Sequence, residues 1–196
     1  MTIVRLNGTH GSGKSTVAYR LLRKFPHKVV QTPGAKKPSG YVVTLPVART
    51  LGIVGPYTTA CGGCDAVQPF ADIWPRVLEF YQSCDHVFFE GALLSTTYGA
   101  QGKASEALGA DFIFAFMDTP LATCVERVDA RRAAAGKGPL ANSVNIESKW
   151  HTINRLHTKL NVGLVGAGQR TAIIRHQTPT KDVLALLGVR INKEPV

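Results

Sequence analysis

The feature that most constrains this chain is a glycine-rich run near its start. Residues 8–16 read GTHGSGKST, in which one glycine, four further residues and then Gly-Lys-Ser give the spacing of a phosphate-binding loop, or P-loop. The apolar run Ile3–Leu6 predicts a buried strand before it. Apolar residues at helical spacing from Val17 to Phe25 predict an amphipathic helix after it.

This order of strand, loop and helix suits the binding of a phosphate. Glycines adopt backbone dihedrals that other residues resist, so successive N–H groups can point at one anion, and the helix start adds its positive dipole end. Lys14 can reach the β- and γ-phosphates of a nucleotide, and the Ser15 hydroxyl can bind Mg²⁺. The predicted nucleotide-binding residues are Gly8, Thr9, His10, Gly11, Ser12, Gly13, Lys14, Ser15 and Thr16.

The 196 residues predict one domain whose core needs no disulfides. No apolar run approaches the roughly 18 to 20 residues of a membrane span, and the chain starts with a strand rather than a secretory signal. The cysteines do not resemble a disulfide framework; they are Cys61, Cys64, Cys84 and Cys124. We therefore expect a cytoplasmic protein with no membrane partner.

The net charge is high. Lysine and arginine number 23 against 13 aspartates and glutamates, which leaves +10 and an isoelectric point near 9.7. This excess favours a polyanionic partner such as nucleic acid. The alternative is that the charge only aids solubility and nucleotide capture.

Strands alternate with helices along the chain. This pattern predicts an α/β fold in three layers, with helices on both faces of a mostly parallel sheet. Ligands of such sheets bind at the carboxyl ends of the strands. The P-loop, Asp65, Glu90 and the loop after Asp118 all fall at that edge.

Two acidic residues are candidates for the chemistry. Glu90 ends the apolar run Val87–Phe89, and a carboxylate that closes a buried strand is costly without a role. It is a candidate Mg²⁺ ligand together with Ser15, or a general base; the alternative is a capping or salt-bridging residue. Asp65 is a candidate base for an acceptor hydroxyl, and capping of the next helix is an equal alternative.

Arg127 and Arg131 lie four residues apart on a predicted helix and therefore share a face. Arginines at this place can hold phosphates and stabilise transition-state charge. For Arg132, Lys137 and Lys149 a solvated basic face is the better interpretation.

Two further patterns carry weaker signals. Cys61 and Cys64 have the spacing of half a zinc site, but no second pair follows, so packing is the simpler interpretation. The aromatic side chains considered are Tyr57, Trp74, Tyr98 and Trp150. The two tryptophans fit core stripes, and the two tyrosines could stack on a base.

The P-loop, the segment Val87–Gly91 and the arginine helix together resemble the P-loop nucleoside and nucleotide kinase superfamily. That resemblance implies a kinase-like three-layer sandwich with a central five-stranded sheet. It also implies ATP and Mg²⁺ as cofactors, a substrate-side insertion over about 33–65 and a lid-like segment over about 127–146.

A narrower resemblance rests on GPYTTACGGCD (residues 55–65) and VFFEGALLSTTYG (residues 87–99). These segments resemble bacteriophage kinases of DNA hypermodification. The family activity is transfer of the ATP γ-phosphate to the hydroxymethyl group of 5-hydroxymethyluracil in DNA. The resemblance implies DNA as partner, and the host cytoplasm as location if a phage encodes the chain. Besides the P-loop, only Asp65 and Glu90 are carried over as family catalytic residues.

The resulting expectation is a kinase with Lys14, Glu90, Asp65, Arg127 and Arg131 as catalytic residues. The alternatives are a kinase of a free deoxynucleoside or its monophosphate, and a P-loop NTPase that couples hydrolysis to binding or to a conformational switch. The oligomeric state stays open.

Overall fold

The computed structural model describes residues 1–59, 62–92, 98–162 and 169–195. Seven strands form one sheet in the order β2-β3-β4-β5-β1-β6-β7. Strand β3 runs antiparallel to β2 and β4, and all other neighbours are parallel. The strands are β1 (Thr2–Asn7), β2 (His27–Val30), β3 (Gly40–Leu45), β4 (Arg49–Val54), β5 (His86–Glu90), β6 (Asp111–Met117) and β7 (Gln169–Ile174).

Helices cover both faces of the sheet. They are α1 (Lys14–Lys24), α2 (Ile73–Ser83), α3 (Tyr98–Ala107), α4 (Leu121–Ala134), α5 (Val144–Asn161) and α6 (Pro179–Leu186). Short 3₁₀ turns lie at Pro46–Ala48, Cys64–Ala66 and Phe70–Asp72. Within the described ranges, no helix is long and apolar enough to cross a membrane.

The alternation of side chains along the strands builds two cores. On one face, Val4 and Leu6 of β1 pack with apolar residues of α1 and α6. On the other face, Ile3 of β1 and the phenylalanines of β6 pack with α2 and α5. The central strands β1, β5 and β6 are buried on both faces, which explains their continuous apolar runs. The predicted three-layer α/β fold is confirmed.

The predicted number of five strands is wrong, because the sheet has seven. The extra edge comes from β2 and β3, which extend the sheet beyond β4. Tyr41, Val43 and Leu45 of β3 are buried in the same core as α1, so this helix provides the cover that lets the additional strands join.

Helix α3 was not predicted, because its residues YGAQGKASEA are mostly small or polar and show no apolar stripe. Pro75 is the third residue of α2. It lies in the first turn, where a backbone N–H has no helical partner to lose. Leu164, an apolar residue four positions after Leu160 that helical spacing would add to α5, lies outside the described residues.

Candidate active site

The P-loop joins β1 to α1 through a backbone that depends on two glycines. Gly11 and Gly13 have φ angles of 78° and 97°, in the left-handed region that side chains disfavour. A Cβ at Gly11 would lie 2.1 Å from the Cys124 carbonyl oxygen of α4. The loop therefore lies against α4 with no room for a side chain at that position.

Polar contacts hold the loop in place. Lys14 is buried, and its Nζ donates to the Thr9 carbonyl at 3.0 Å, across the loop. Thr119 donates its hydroxyl to the Ser12 carbonyl at 2.8 Å, and Thr9 donates to the carbonyl of Ile146 at 2.9 Å. The loop is thus fixed to the segment after β6 and to α5.

A cavity of about 690 Å³ opens over the loop at the carboxyl ends of the strands. Its lining includes His10–Thr16, which are seven of the nine predicted nucleotide-binding residues; the other two, Gly8 and Thr9, are buried beneath the loop. Asp65, Glu90, Arg127 and Arg131 also line the cavity. The structure therefore brings together the predicted catalytic side chains, which come from distant parts of the sequence.

Glu90 lies at the base of this cavity and is almost fully buried. Its Oε1 accepts a hydrogen bond from the Ser15 hydroxyl at 2.8 Å and a longer one from the Tyr57 hydroxyl at 3.4 Å. Burial raises the pKa of Glu90 to about 7, although the charge of Lys14 and the two hydroxyl donors favour the ionised form. The same burial, with the nearby Glu90 charge, raises the pKa of Tyr57.

A glycine-rich segment wraps around Glu90. A Cβ at Gly63 (φ 80°) would lie 2.1 Å from Glu90 Oε1, and one at Gly62 would lie 2.6 Å from the Tyr57 ring. A Cβ at Gly55 (φ 102°) would lie 2.7 Å from the backbone of Gly63. These glycines therefore let the segment pack closely on itself and, at Gly63, against the Glu90 carboxylate.

Asp65 is half-buried at the same end of the cavity, in the 3₁₀ turn Cys64–Ala66. Its Oδ2 accepts a hydrogen bond from the Ala92 N–H at 2.8 Å, just beyond β5. The alternative that Asp65 caps the next helix is wrong, because Asp72 occupies the N-cap of α2. Asp65 and Glu90 thus face one end of the cavity from two different segments.

Arg127 and Arg131 extend from α4 into the cavity mouth and are exposed. Arg127 Nη1 donates to the Gly11 carbonyl at 3.5 Å, so its guanidinium lies directly at the loop. Arg132 instead donates to the carbonyls of Gly138 and Pro139, at 2.9 and 3.4 Å, beyond the end of its own helix. Arg127 and Arg131 thus line the cavity, whereas Arg132 contacts the segment beyond its own helix; the catalytic role of the first two stays a prediction.

Comparison with known proteins decides the family. A family model described as "5-hmdU DNA kinase" matches residues 2–178. The chain belongs to the 5-hmdU DNA kinase family.

Three relatives carry that description. A "5-hmdU DNA kinase" of Pseudomonas phage PaMx11 is 35% identical over 76% of this chain and 79% of its own length. One of Pseudomonas phage M6 is 28% identical over 95% of this chain and 98% of its own length. A "5-hmdU DNA kinase 1" of Salmonella phage ViI is 27% identical over 81% of this chain and 70% of its own length.

In this member of the 5-hmdU DNA kinase family, several cavity residues were missed from the sequence. They are Tyr19, Arg20, Met117, His176 and Pro179. His176 follows β7 and contacts Asp118 after β6, with Nδ1 and Oδ1 2.8 Å apart. The order of the strands could have placed His176 at the site, because β6 and β7 both end at the edge of the sheet where ligands bind. The sequence around His176 contains no motif that singles it out.

His10 lies exposed at the cavity mouth, where surrounding protein atoms still displace water from its ring. This desolvation lowers the pKa of His10, and the positive charge of Lys14 lowers it further, whereas Asp65 opposes them. A neutral His10 can accept a hydrogen bond as well as donate one.

Three of the four aromatic residues considered above contact other groups of the protein. Tyr57 is buried against the rings of Tyr19 and Tyr41, so the prediction that it stacks on a base is wrong. Trp74 contacts Phe112, and Trp150 donates its indole N–H to the Thr119 carbonyl at 3.1 Å. The Tyr98 side chain lies outside the described residues.

The cysteines for which the structure gives side-chain positions are buried free thiols: Cys64, Cys84 and Cys124. Cys61, the other half of the predicted pair, lies outside the described residues. In the described part of the chain, no group of three or more histidine, cysteine, aspartate or glutamate side chains is placed to hold a metal ion. A Mg²⁺ site made of the Ser15 and Glu90 oxygens together with nucleotide phosphate would use fewer protein ligands than such a group.

Proposed function

We propose that this chain transfers the γ-phosphate of ATP to the 5-hydroxymethyl group of 5-hydroxymethyluracil in DNA. Its membership of the family supports the acceptor. The observation that carries the chemistry is the placement of Lys14, the Ser15–Glu90 pair and Asp65 around one cavity. We place the reaction in the cytoplasm of a phage-infected host cell.

The donor phosphates would bind between the P-loop and α4. The loop supplies N–H groups around Gly11 and Gly13, where no side chain fills the space. Lys14 would exchange its bond to the Thr9 carbonyl for a phosphate oxygen, and Arg127 and Arg131 would neutralise charge from the opposite side.

The oxygens of Ser15 and Glu90 fit Mg²⁺, which prefers oxygen ligands and keeps several waters beside a nucleotide. They lie 2.8 Å apart at the start of α1, next to the predicted phosphate position. When bound, the ion supplies positive charge to the phosphoryl group. Glu90 would then be held as an anion by that charge in addition to Lys14.

Asp65 is left as the carboxylate for the acceptor hydroxyl. It accepts the hydroxyl proton while the hydroxymethyl oxygen bonds to the γ-phosphorus and the bond to the β-phosphate oxygen breaks, giving ADP and the phosphorylated base. Its half-exposed position on the cavity wall suits contact with a substrate, whereas Glu90 is enclosed by Gly63 and Tyr57. The predicted closure of residues 127–146 over the cavity stays a prediction.

The decisive experiment follows the label from ATP carrying γ-³²P. We expect label on duplex DNA that contains 5-hydroxymethyluracil and none on an otherwise identical thymine duplex. Label on free 5-hydroxymethyldeoxyuridine or its monophosphate at equal efficiency would favour the small-molecule kinase. Free phosphate as the sole product would favour the NTPase.

An Asp65→Asn variant separates the two carboxylates. We expect transfer to fall roughly 10²- to 10⁴-fold, the usual contribution of a general base, while ATP affinity is retained. Unchanged transfer by Asp65→Asn would return the base role to Glu90.

A further inference from the structure

The positive charge of the chain is concentrated in its first third. Residues 1–64 contain nine lysines and arginines and no aspartate or glutamate, because Asp65 is the first acidic residue. The remaining 132 residues contain 14 lysines and arginines against all 13 acids, so they are almost neutral. Nine of the ten net positive charges therefore come from residues 1–64, which run from β1 through α1 to strands β2, β3 and β4.

Four of these nine cations have other surroundings. Arg5 is buried in β1, Lys14 belongs to the P-loop, and Arg20 pairs with Glu194 at 2.9 Å. Arg49 starts β4 at the opposite end of the sheet from the cavity. The other five are exposed and form no ion pair within the described ranges; we call them the basic edge: Arg23, Lys24, Lys28, Lys36 and Lys37.

The topology places these five cations along one border of the molecule. Strand β2 is the outermost strand of the sheet, and α1 leads directly into it. Because β3 is antiparallel to both β2 and β4, β2 runs parallel to β4 and β1. Arg23, Lys24 and Lys28 therefore lie towards the far end of this border, and the loop 31–39 with Lys36 and Lys37 lies at the cavity end.

The loop is tied to the segment that surrounds Glu90. The Gly55 N–H donates to the Ser39 carbonyl at 2.8 Å, and the Ser39 N–H donates to the Val30 carbonyl at 2.8 Å. Gly55 is the first residue of the glycine-rich run that continues to Asp65. The loop that carries Lys36 and Lys37 is thus joined to the segment at the acceptor end of the cavity.

We propose that the basic edge is the surface that binds the phosphate backbone of the DNA substrate and directs the modified base towards Asp65. This inference rests on the proposed function, which makes DNA the acceptor. The charge matches, since the edge is entirely cationic and a duplex is uniformly anionic. The length of the edge also suits DNA. Its cations lie at both ends of β2, which spans ~13 Å, and this distance corresponds to about four phosphates of one DNA strand along the helix axis.

Phosphate contacts position DNA without reading its sequence. The basic edge therefore supplies affinity and orientation, and the choice of base is left to the cavity. Backbone binding of this kind works equally at every position of a duplex.

The test compares two double variants that remove the same charge. Lys36→Gln/Lys37→Gln alters the cavity end of the basic edge. Lys103→Gln/Lys159→Gln removes two exposed lysines from α3 and α5, whose sheet contacts are with β6 and β7 on the other side of β1. Thermal melting confirms that both variants are folded.

Binding is measured by fluorescence anisotropy of a labelled duplex at several salt concentrations. We expect Lys36→Gln/Lys37→Gln to weaken binding at least about tenfold near 0.1 M salt, and to reduce the slope of log K against log salt by about 1.8. The control variant should match the wild type. Equal slopes and affinities for all three proteins would overturn the proposed surface.

The same samples separate this inference from the proposed function. Binding to DNA is read without turnover, so the basic edge is tested even in a protein that transfers no phosphate. If the wild type transfers label to DNA but the two double variants bind DNA equally well, the proposed kinase activity stands and the proposed DNA-binding surface is wrong. If only Lys36→Gln/Lys37→Gln loses DNA binding and the wild type transfers no label, the proposed surface stands and the proposed kinase activity is wrong.

Discussion

Glu90 is buried at a point where a carboxylate is hard to keep ionised. Ser15, Tyr57 and Lys14 offset part of the cost, yet burial still raises its pKa to about 7 from an ordinary value of 4.5. A carboxyl group whose pKa is higher in the folded than in the unfolded chain destabilises the fold at every pH above its unfolded-state pKa. The stability that protonated Glu90 provides at low pH is lost as the pH rises from about 4.5 to about 7.

Glu90→Gln removes this titration, which gives a prediction for the metal-free protein. Relative to wild type, the variant should gain stability between pH 4.5 and 8 by on the order of 3 kcal/mol, from 1.36 kcal/mol per pH unit over the roughly 2.5 units between the unfolded and folded pKa values. Urea unfolding in EDTA at the two pH values measures it. A stability difference independent of pH would show that Glu90 is ionised at an ordinary pKa.

Lys14 allows the second prediction at this scale. Lys14→Met keeps the buried aliphatic stem but removes the ammonium, so unfolding free energy should change by about 1 kcal/mol or less, the value of its bond to Thr9. Phosphate transfer should fall by roughly 10²- to 10³-fold or more, because a charge that stabilises the transition state is lost. Full activity in a folded Lys14→Met would refute the phosphate-cradle role.

Among the elements, the glycine-rich segment after β4 has the least tolerance for side chains. Gly63→Ala would place a Cβ against Glu90, whereas Gly34→Ala, at nearly the same φ of 78°, meets no atom within 4 Å. Both alanines would have a positive φ, but Gly63, with ψ −163°, lies in a region that is essentially restricted to glycine. The difference between the two variants therefore combines this backbone strain with the crowding of Glu90.

We expect Gly63→Ala to be a further 1 to 3 kcal/mol less stable than Gly34→Ala, as for overpacked cores, and to lose most transfer activity. Chemical denaturation and the labelling assay measure the two effects. Similar stability and activity for both alanine variants would show that the segment moves away from Glu90 at little cost.

The sequence predicted the elements whose signal is local. Gly8–Thr16 has the spacing of a P-loop, and Val87–Phe89 is apolar because β5 is covered on both faces. The count of five strands came from the superfamily resemblance and did not include the extension of the sheet by β2 and β3. That these two strands join the sheet depends on strand order and on cover from α1. His176 and the Tyr57 contact to Glu90 were missed for the same reason, since they arise from strand order.

At the scale of the whole molecule, the C-terminal segment ties two helices together. Glu194 accepts hydrogen bonds from the N–H groups of Thr180 and Lys181 at the start of α6, and pairs with Arg20 on α1. Glu194→Ala should therefore lower the free energy of unfolding by about 1 to 2 kcal/mol, the usual cost of a lost cap. Glu79→Ala, at an exposed position of α2, is the control, and equal effects from both would contradict this role.

The uneven placement of charge between the first 64 residues and the rest has a kinetic consequence. A molecule whose cations lie on one side is an electric dipole, and in the field of a polyanion it turns before it touches. Collisions with DNA would then begin with the correct side forward, and a larger share of them would succeed. This effect raises the rate of association with DNA and requires no contact with any base. It weakens as added salt screens the electric field over a shorter distance.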